Sequence, residues 1–254
     1  MKLKFLVLLS VLLTAQLLAE NAPPTKEEIY AGVLKSQGGS AALSKIKSMR
    51  IQGEIQTEKE TIPFTLIRKK PNHVRLALNY PKGTYVIVYN GEVVWSHPVG
   101  ASPQDVQLVT GERADNFKLN APFFGYLIEP DRYQTQIKSI DWSTWDDKRL
   151  IKVSITTNDS ASVEYYIDPE TYQTMRMVFQ ETEDGKTLIR DSRFSDFRPV
   201  GVLTEPFHTE VFTNGEHEST QTLKTFELNP GILDASFTPP EGTLTQASAT
   251  GKKS

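Results

Sequence analysis

Between residues 62 and 95 the apolar positions recur every second residue in four short runs, each ended by turn chemistry. Ile62, Phe64 and Leu66 alternate until Lys69-Lys70-Pro71-Asn72. Val74, Leu76, Leu78 and Tyr80 alternate until Pro81-Lys82-Gly83. Tyr85, Ile87 and Tyr89 follow, and Val93 and Trp95 resume the pattern after Asn90-Gly91. A period of two is that of a β-strand with one buried face, and Asn-Gly between two such runs signals a hairpin.

The pattern extends in both directions. Thr25 and Glu28 form a capping box that predicts a helix over roughly 26–36, ended by Gly38-Gly39. Ser40 is expected to cap a second short helix through about Lys47, after which Ile51, Gly53 and Ile55 start the sheet. Residues 98–116 read as loop. The apolar run 120–128 (NAPFFGYLI) reads as a short helix opened near Pro122 and ended by Pro130, too aromatic to stand uncovered in water. Strands resume at 133–141, 149–157, 161–168, 172–181, 186–197, 206–213 and 217–228. Their joints include Asn158-Asp159-Ser160, Asp168-Pro169-Glu170, Glu183-Asp184-Gly185 and Asn214-Gly215. The expectation is a mainly β chain of about twelve antiparallel strands with a few short helices. Either the sheet curls upon itself, or it leaves an apolar hollow under a small lid.

The first residues add a location. Lys2 and Lys4 precede an apolar run over 5–13, and Gln16 to Ala19 offers a small-residue exit, which is the pattern of a secretory signal peptide cut after Ala19. The apolar run is too short for ~30 Å of hydrocarbon. With no cysteine, neither a disulfide nor an N-terminal lipidated Cys is available. Removal of Lys2 and Lys4 leaves 26 basic residues against 31 acidic ones, a net charge of −5, and no basic stripe points to nucleic acid. The domain is expected over 20–245, with a polar tail over 246–254. Together these features predict a soluble protein of a bacterial periplasm.

Catalytic signals are weak. The sequence has no G-x-S-x-G elbow and no P-loop, and His73, His97, His208 and His217 show no metal-binding spacing. Asp146-Asp147 and the Glu181, Glu183, Asp184 group fall at expected turns beside Lys148 and Lys186, where solvated charge is ordinary. A hydrolase reading would rest on Asp146, Asp147 or Glu183. Met175, Met177 and Phe179, with Val163, Tyr165 and Ile167, form apolar faces suited to core packing or to a surface that adapts to ligands.

The run Lys69-Lys70-Pro71-Asn72, the Pro81 turn, Asn90-Gly91 and Trp95 resembles the K-R-P-N … P … D-G … W run of the lipoprotein-sorting proteins of the LolA/LolB type. The segment 120–128 resembles that family's lid helix, and Phe237-Thr238-Pro239-Pro240-Glu241-Gly242 its terminal F-T-P-P-x-G. The resemblance implies an unclosed antiparallel β-barrel with a helical lid over a hydrophobic concave face, non-enzymatic and without cofactor. It implies a monomeric periplasmic carrier that shields the acyl chains of lipoproteins or another envelope lipid. The partners it implies are an inner-membrane transporter and an outer-membrane acceptor. On this reading Ile51, Phe64, Leu66, Leu76, Leu78, Ile87, Trp95, Tyr165, Met175 and Met177 line the hollow, and Phe123, Phe124, Tyr126 and Leu127 form the lid. Lys70 stands where the family has an Arg that ties lid to barrel. The alternative is an envelope module of the same fold that recognises a protein partner without carrying lipid.

Overall fold

A computed structural model describes residues 22–99, 105–157 and 162–239. The expected signal peptide at 1–19 and the tail at 246–254 lie outside the described residues. Helix α1 (Lys26–Ser36) begins at the capping box: Glu28 N–H donates to Thr25 Oγ1 (3.3 Å) and Thr25 N–H donates back to Glu28 Oε2 (2.8 Å). These bonds hold the Glu28 carboxyl below its usual range. Helix α2 (Ser40–Leu43) is a single turn, shorter than the sequence suggests, because the chain leaves the helix before Lys47.

Among the described residues thirteen strands follow: β1 (Ser48–Gln56), β2 (Thr61–Lys69), β3 (His73–Tyr80), β4 (Gly83–Tyr89), β5 (Val94–His97), β6 (Gln107–Val109), β7 (Gln136–Trp145), β8 (Lys148–Thr156), β9 (Ser162–Ile167), β10 (Thr174–Glu183), β11 (Lys186–Val200), β12 (Leu203–Thr213) and β13 (Glu216–Leu228). They form one open antiparallel sheet in the order β6-β5-β4-β3-β2-β1-β13-β12-β11-β10-β9-β8-β7. Two meanders, β1–β6 and β7–β13, thus join through the single pairing of β1 with β13. Strands β6 and β7, consecutive in the chain, are opposite edges. Everything between them must cross from one edge to the other: helix α3 (Glu112–Lys118) and the segment to residue 135.

Turn chemistry sets the hairpins. Asp146-Asp147, Asp184-Gly185 and Asn214-Gly215 all have positive φ at both positions, the conformation that lets a two-residue turn follow the strand twist. Asp146 and Asp147 are therefore turn residues rather than a carboxylate pair in a cleft. Asn90-Gly91 does not make a two-residue hairpin. Asn90 Oδ1 accepts from the N–H groups of Glu92 (3.0 Å) and Val93 (2.9 Å), and β5 starts only at Val94.

Both faces of the β3–β5 region are covered, which is why Val86, Ile87 and Val88 are all buried. On the outer face Ala77, Val86, Val88 and Trp95 pack under the C-terminal segment, with Ile232 and Phe237. The Trp95 Nε1–H donates to Phe237 O (3.0 Å), and Lys69 Nζ reaches Ile232 O (2.8 Å) and Asp234 Oδ1 (2.7 Å). On the inner face α3 covers Ile87, Val94 and Val109.

Gly53 marks a close approach. A Cβ there would lie 2.4 Å from Thr222 O and 2.9 Å from the Phe64 ring, beside the register shift between β1 and β13. Gly53→Val is expected to cost about 1–3 kcal/mol through overpacking, measured by denaturant unfolding. An unchanged midpoint would mean that the β1–β13 seam gives way at Thr222 and the Phe64 ring moves aside without cost.

Candidate functional site

The inner face of the sheet supplies the floor of a cavity. Direct cross-strand partners share a face, so the register places Ile51 with Leu66 on one side and Phe226 on the other, and Tyr165 beside Met177. Over this floor lies the crossing segment. Residues 120–128 are not a helix: the chain runs through a series of turns with Gly125 at φ +90°, between Pro122 and Pro130, and the helix of the crossing is α3, in the stretch that reads as loop. Proline at two points and a left-handed glycine between them prevent a regular i→i−4 ladder.

The segment is nonetheless packed. Phe123, Tyr126 and Leu127 are buried. Phe123 and Phe124 meet edge to face (centroids 4.7 Å), as do Tyr126 and Tyr133 (5.3 Å). Tyr126 Oη donates to Leu119 O (3.1 Å), and Thr135 Oγ1 donates to Tyr126 O (3.1 Å). Between segment and sheet a cavity of about 310 Å³ remains, lined by Ile51, Tyr165, Met177, Phe194, Phe197 and Phe226 below and by Phe123, Phe124, Tyr126 and Leu127 above. Ser36 and Gln37 at the end of α1 and Thr204 and Glu205 on β12 add polar groups.

Two latches hold the crossing segment. Arg68, on the inner face of β2, donates through Nη2 to Asn120 O (2.8 Å) and to Pro122 O. At the other side, Asn116 Nδ2 donates to Thr182 O (2.7 Å) and Gly185 N–H donates to Glu112 Oε1 (3.2 Å), tying α3 to the β10–β11 hairpin. Lys70 meets the lid differently: its Nζ donates to Leu43 O (3.0 Å) and sits 4.6 Å from the Phe124 ring centroid and 5.5 Å from that of Phe123, so it touches the lid through cation–π contacts. Both carbonyls are served by the single Nη2 nitrogen of Arg68, while the Lys70 ammonium two residues later is engaged by Leu43 O.

Not all the predicted lining residues meet at the cavity. Ile51, Tyr165 and Met177 border it, as do all four lid residues. Phe64, Leu66, Leu76, Leu78 and Ile87 lie on the same inner face but farther along the sheet, where Leu76 and Ile87 pack under α3. Met175 occupies the irregularity in β10 between Thr174 and Arg176 and does not border the cavity. Trp95 is on the opposite face. It pairs with Val88, and any even-length loop between β4 and β5 pairs Ile87 with an even-numbered residue, so Ile87 and Trp95 cannot share a face. Phe194, Phe197, Phe226, Arg68 and Glu205 are cavity residues that pattern reading misses. Phe194 and Phe197, three apart, both reach the cavity because Asp196 between them takes a left-handed turn (φ +53°) that breaks the alternation.

The electrostatics of the cavity centre on Arg68 and Glu205. Burial pushes the Arg68 guanidinium down, opposed by the charges of Glu205, Tyr133 and Glu129. Burial pushes the Glu205 carboxyl from 4.5 up to about 7, and Arg68 only partly restrains it. Burial also pushes the Tyr165 phenol up. Among the described residues no group of His, Asp or Glu side chains could hold a metal ion, and no helix is long and apolar enough to cross a membrane.

No protein-family sequence model matches the chain, and no curated protein matches it in sequence. Solved structures do match in fold. A LolA superfamily protein of Nitrosomonas europaea superimposes with a TM-score of 0.58 at 14% identity, over 85% of this chain and 98% of that one. A DUF1329 family protein of Desulfovibrio piger gives 0.58 at 12% identity, over 84% and 96%. A Vibrio parahaemolyticus domain described as an outer membrane lipoprotein-sorting protein gives 0.56 at 10% identity, over 84% and 97%. The chain therefore has the LolA-like fold, an unclosed antiparallel half-barrel.

Two outcomes follow. Arg68→Met is expected to raise hydrogen exchange at the amides of residues 119–128 by about tenfold or more, since a hydrogen bond to a charged group is worth about 1.5–3 kcal/mol. Lys70→Met should change it far less, and equal effects of the two would remove Arg68 from its role as the tie. Glu205 binds more protons folded than unfolded between about pH 4.5 and 7. Its stabilising contribution is complete below 4.5 and is lost as pH rises through 7. Glu205→Gln should flatten that loss in urea titrations across this window, and an unaltered pH profile would show that the carboxyl is hydrated.

Proposed function

We propose that this chain is a non-enzymatic carrier that shields acyl chains of lipoproteins, or of another envelope lipid, during passage across an aqueous compartment. The observation that carries the reading is the cavity of about 310 Å³ under an aromatic cover that has no regular secondary structure and is tied down by a few polar contacts. A permanent core would be filled; this one is roofed. Burial of an acyl chain is worth about 0.8 kcal/mol per CH₂, so a lipid anchor does not cross water unescorted at a useful rate. A cover of modest apolar area that competes with cargo for the same floor lets the cargo leave again.

The fold supports this reading, since one neighbour is described as a lipoprotein-sorting protein. The signal-peptide pattern in residues 1–19 supports a periplasmic site of work; there an inner-membrane transporter would load the carrier and an outer-membrane acceptor would unload it. The lining of phenylalanines and Met177 suits acyl chains of variable shape. On the alternative reading, recognition of a protein partner without lipid, the cavity has no ligand.

Native mass spectrometry of protein isolated from periplasm without detergent separates the two. Stoichiometric lipid or acylated peptide is the expected result. Met177→Glu, which places a charge on the cavity floor, should abolish that adduct while preserving the circular dichroism of the wild type. A bare mass that stays bare when acylated lipoprotein or phospholipid is added would overturn the carrier reading.

A further inference from the structure

A smaller hollow of about 20 Å³ adjoins the cavity. It is lined by Val163 and Phe179, and it shares Leu119, Asn120, Tyr126 and Met177 with the larger space. The shared residues are the partition between the two. Tyr126 is the fixed half: its hydroxyl donates to Leu119 O (3.1 Å), its carbonyl accepts from Thr135 Oγ1 (3.1 Å), and its ring meets Tyr133 edge to face. Met177 is the movable half, a half-buried, unbranched side chain with three rotatable bonds. Strand β10 arranges the neighbouring groups along one line. Gln173 and Thr174, at its start, border the main cavity close to where Ser36 Oγ donates to Tyr172 O (3.4 Å). Met177 follows, then Phe179, which pairs with Val163 as Met177 pairs with Tyr165. Glu181 comes next on the same face and ion-pairs with Arg190 (2.7 Å), the cross-strand partner of Phe179. Arg190 also donates to Thr213 Oγ1 (2.6 Å). The line is therefore polar at its start, apolar at Met177 and Phe179, and charged at its end.

We propose that Met177 and Tyr126 form a shutter that sets the length of acyl chain the hollow accepts, with the head left at the Gln173–Thr174 rim and the methyl end lodged beside Phe179. The inference rests on the carrier reading and adds a length limit to its cargo. Strand geometry sets the scale. Met177 lies three residues past Thr174, about 10 Å along the strand, and Phe179 five residues past it, about 17 Å. One leaflet of a bilayer, half of ~30 Å of hydrocarbon, is about 15 Å deep. A chain of that length overruns the main cavity and fits once the second hollow is joined to it. Farther on it would have to strip water from the Glu181–Arg190 pair, whose charges gain nothing from methylenes. The second hollow has room for about one water. It takes only a chain end, and only when the Met177 thioether turns aside.

Isothermal titration of the detergent-free protein with one soluble peptide, N-acylated by either a dodecanoyl or a hexadecanoyl chain, tests the shutter. The quantity read is the ratio of long-chain to short-chain affinity, in which any general loosening of the lid cancels. Met177→Ala joins the two spaces and is expected to raise the ratio about tenfold, the worth of roughly two buried CH₂ groups. Phe179 does not border the main cavity, so Phe179→Trp fills the second hollow alone and should lower the ratio by a similar factor. A ratio that either variant leaves unmoved overturns the length limit and leaves the carrier reading standing. If neither peptide binds the wild type, the carrier reading falls with it.

Discussion

Arg68 bonds to two carbonyls that belong to a stretch of chain with no ladder of its own. Residues 120–135 pass over the hollow in turns, so their backbone groups must find partners outside regular structure. One guanidinium answers the carbonyls of Asn120 and Pro122 from below, the Thr135 hydroxyl answers that of Tyr126, and Asn116 of α3 reaches Thr182 O on the far side. The aromatic packing of Phe123, Phe124 and Tyr126 depends on that support, since those rings are aimed at the floor only while the backbone is held. The hollow is therefore defined as much by polar contacts at its rim as by apolar area within it.

This division of labour explains what is legible in the sequence. The strands announce themselves because alternation and turn residues are local properties, and most boundaries fall close to where the pattern puts them. The capping box of α1 is local too. The lid is different. Its apolar content shows that it must be covered, but Pro122, Gly125 and Pro130 argue against the helix that the resemblance suggests. The same resemblance directs attention to Lys70, whereas the tie is made two residues earlier, where an Arg on the inner face meets the crossing chain.

The floor is harder still to read. Membership depends on face, and face depends on parity carried across strands. Trp95 shows how parity could have been used: with Ile87 inward, no even loop puts Trp95 beside it. Phe194 and Phe197 show where it could not, because the left-handed residue at Asp196 changes the alternation without any proline or glycine to mark it. Glu205 carries no local signal at all. A glutamate in a strand is usually solvated, and only its burial at the cavity, which Arg68 partly offsets, makes this one unusual.

The pairing of β1 with β13 sets the order in which the molecule can be completed. Each meander can form hairpin by hairpin from neighbours in the chain, but residues 48–56 find their second partner only when residues 216–228 are present. Until then each half is a sheet with an unpaired edge at the seam and no floor beneath the crossing segment. A chain made from its N-terminus thus cannot close its hollow before nearly all of it has been made. The cavity is the last part of the protein to exist.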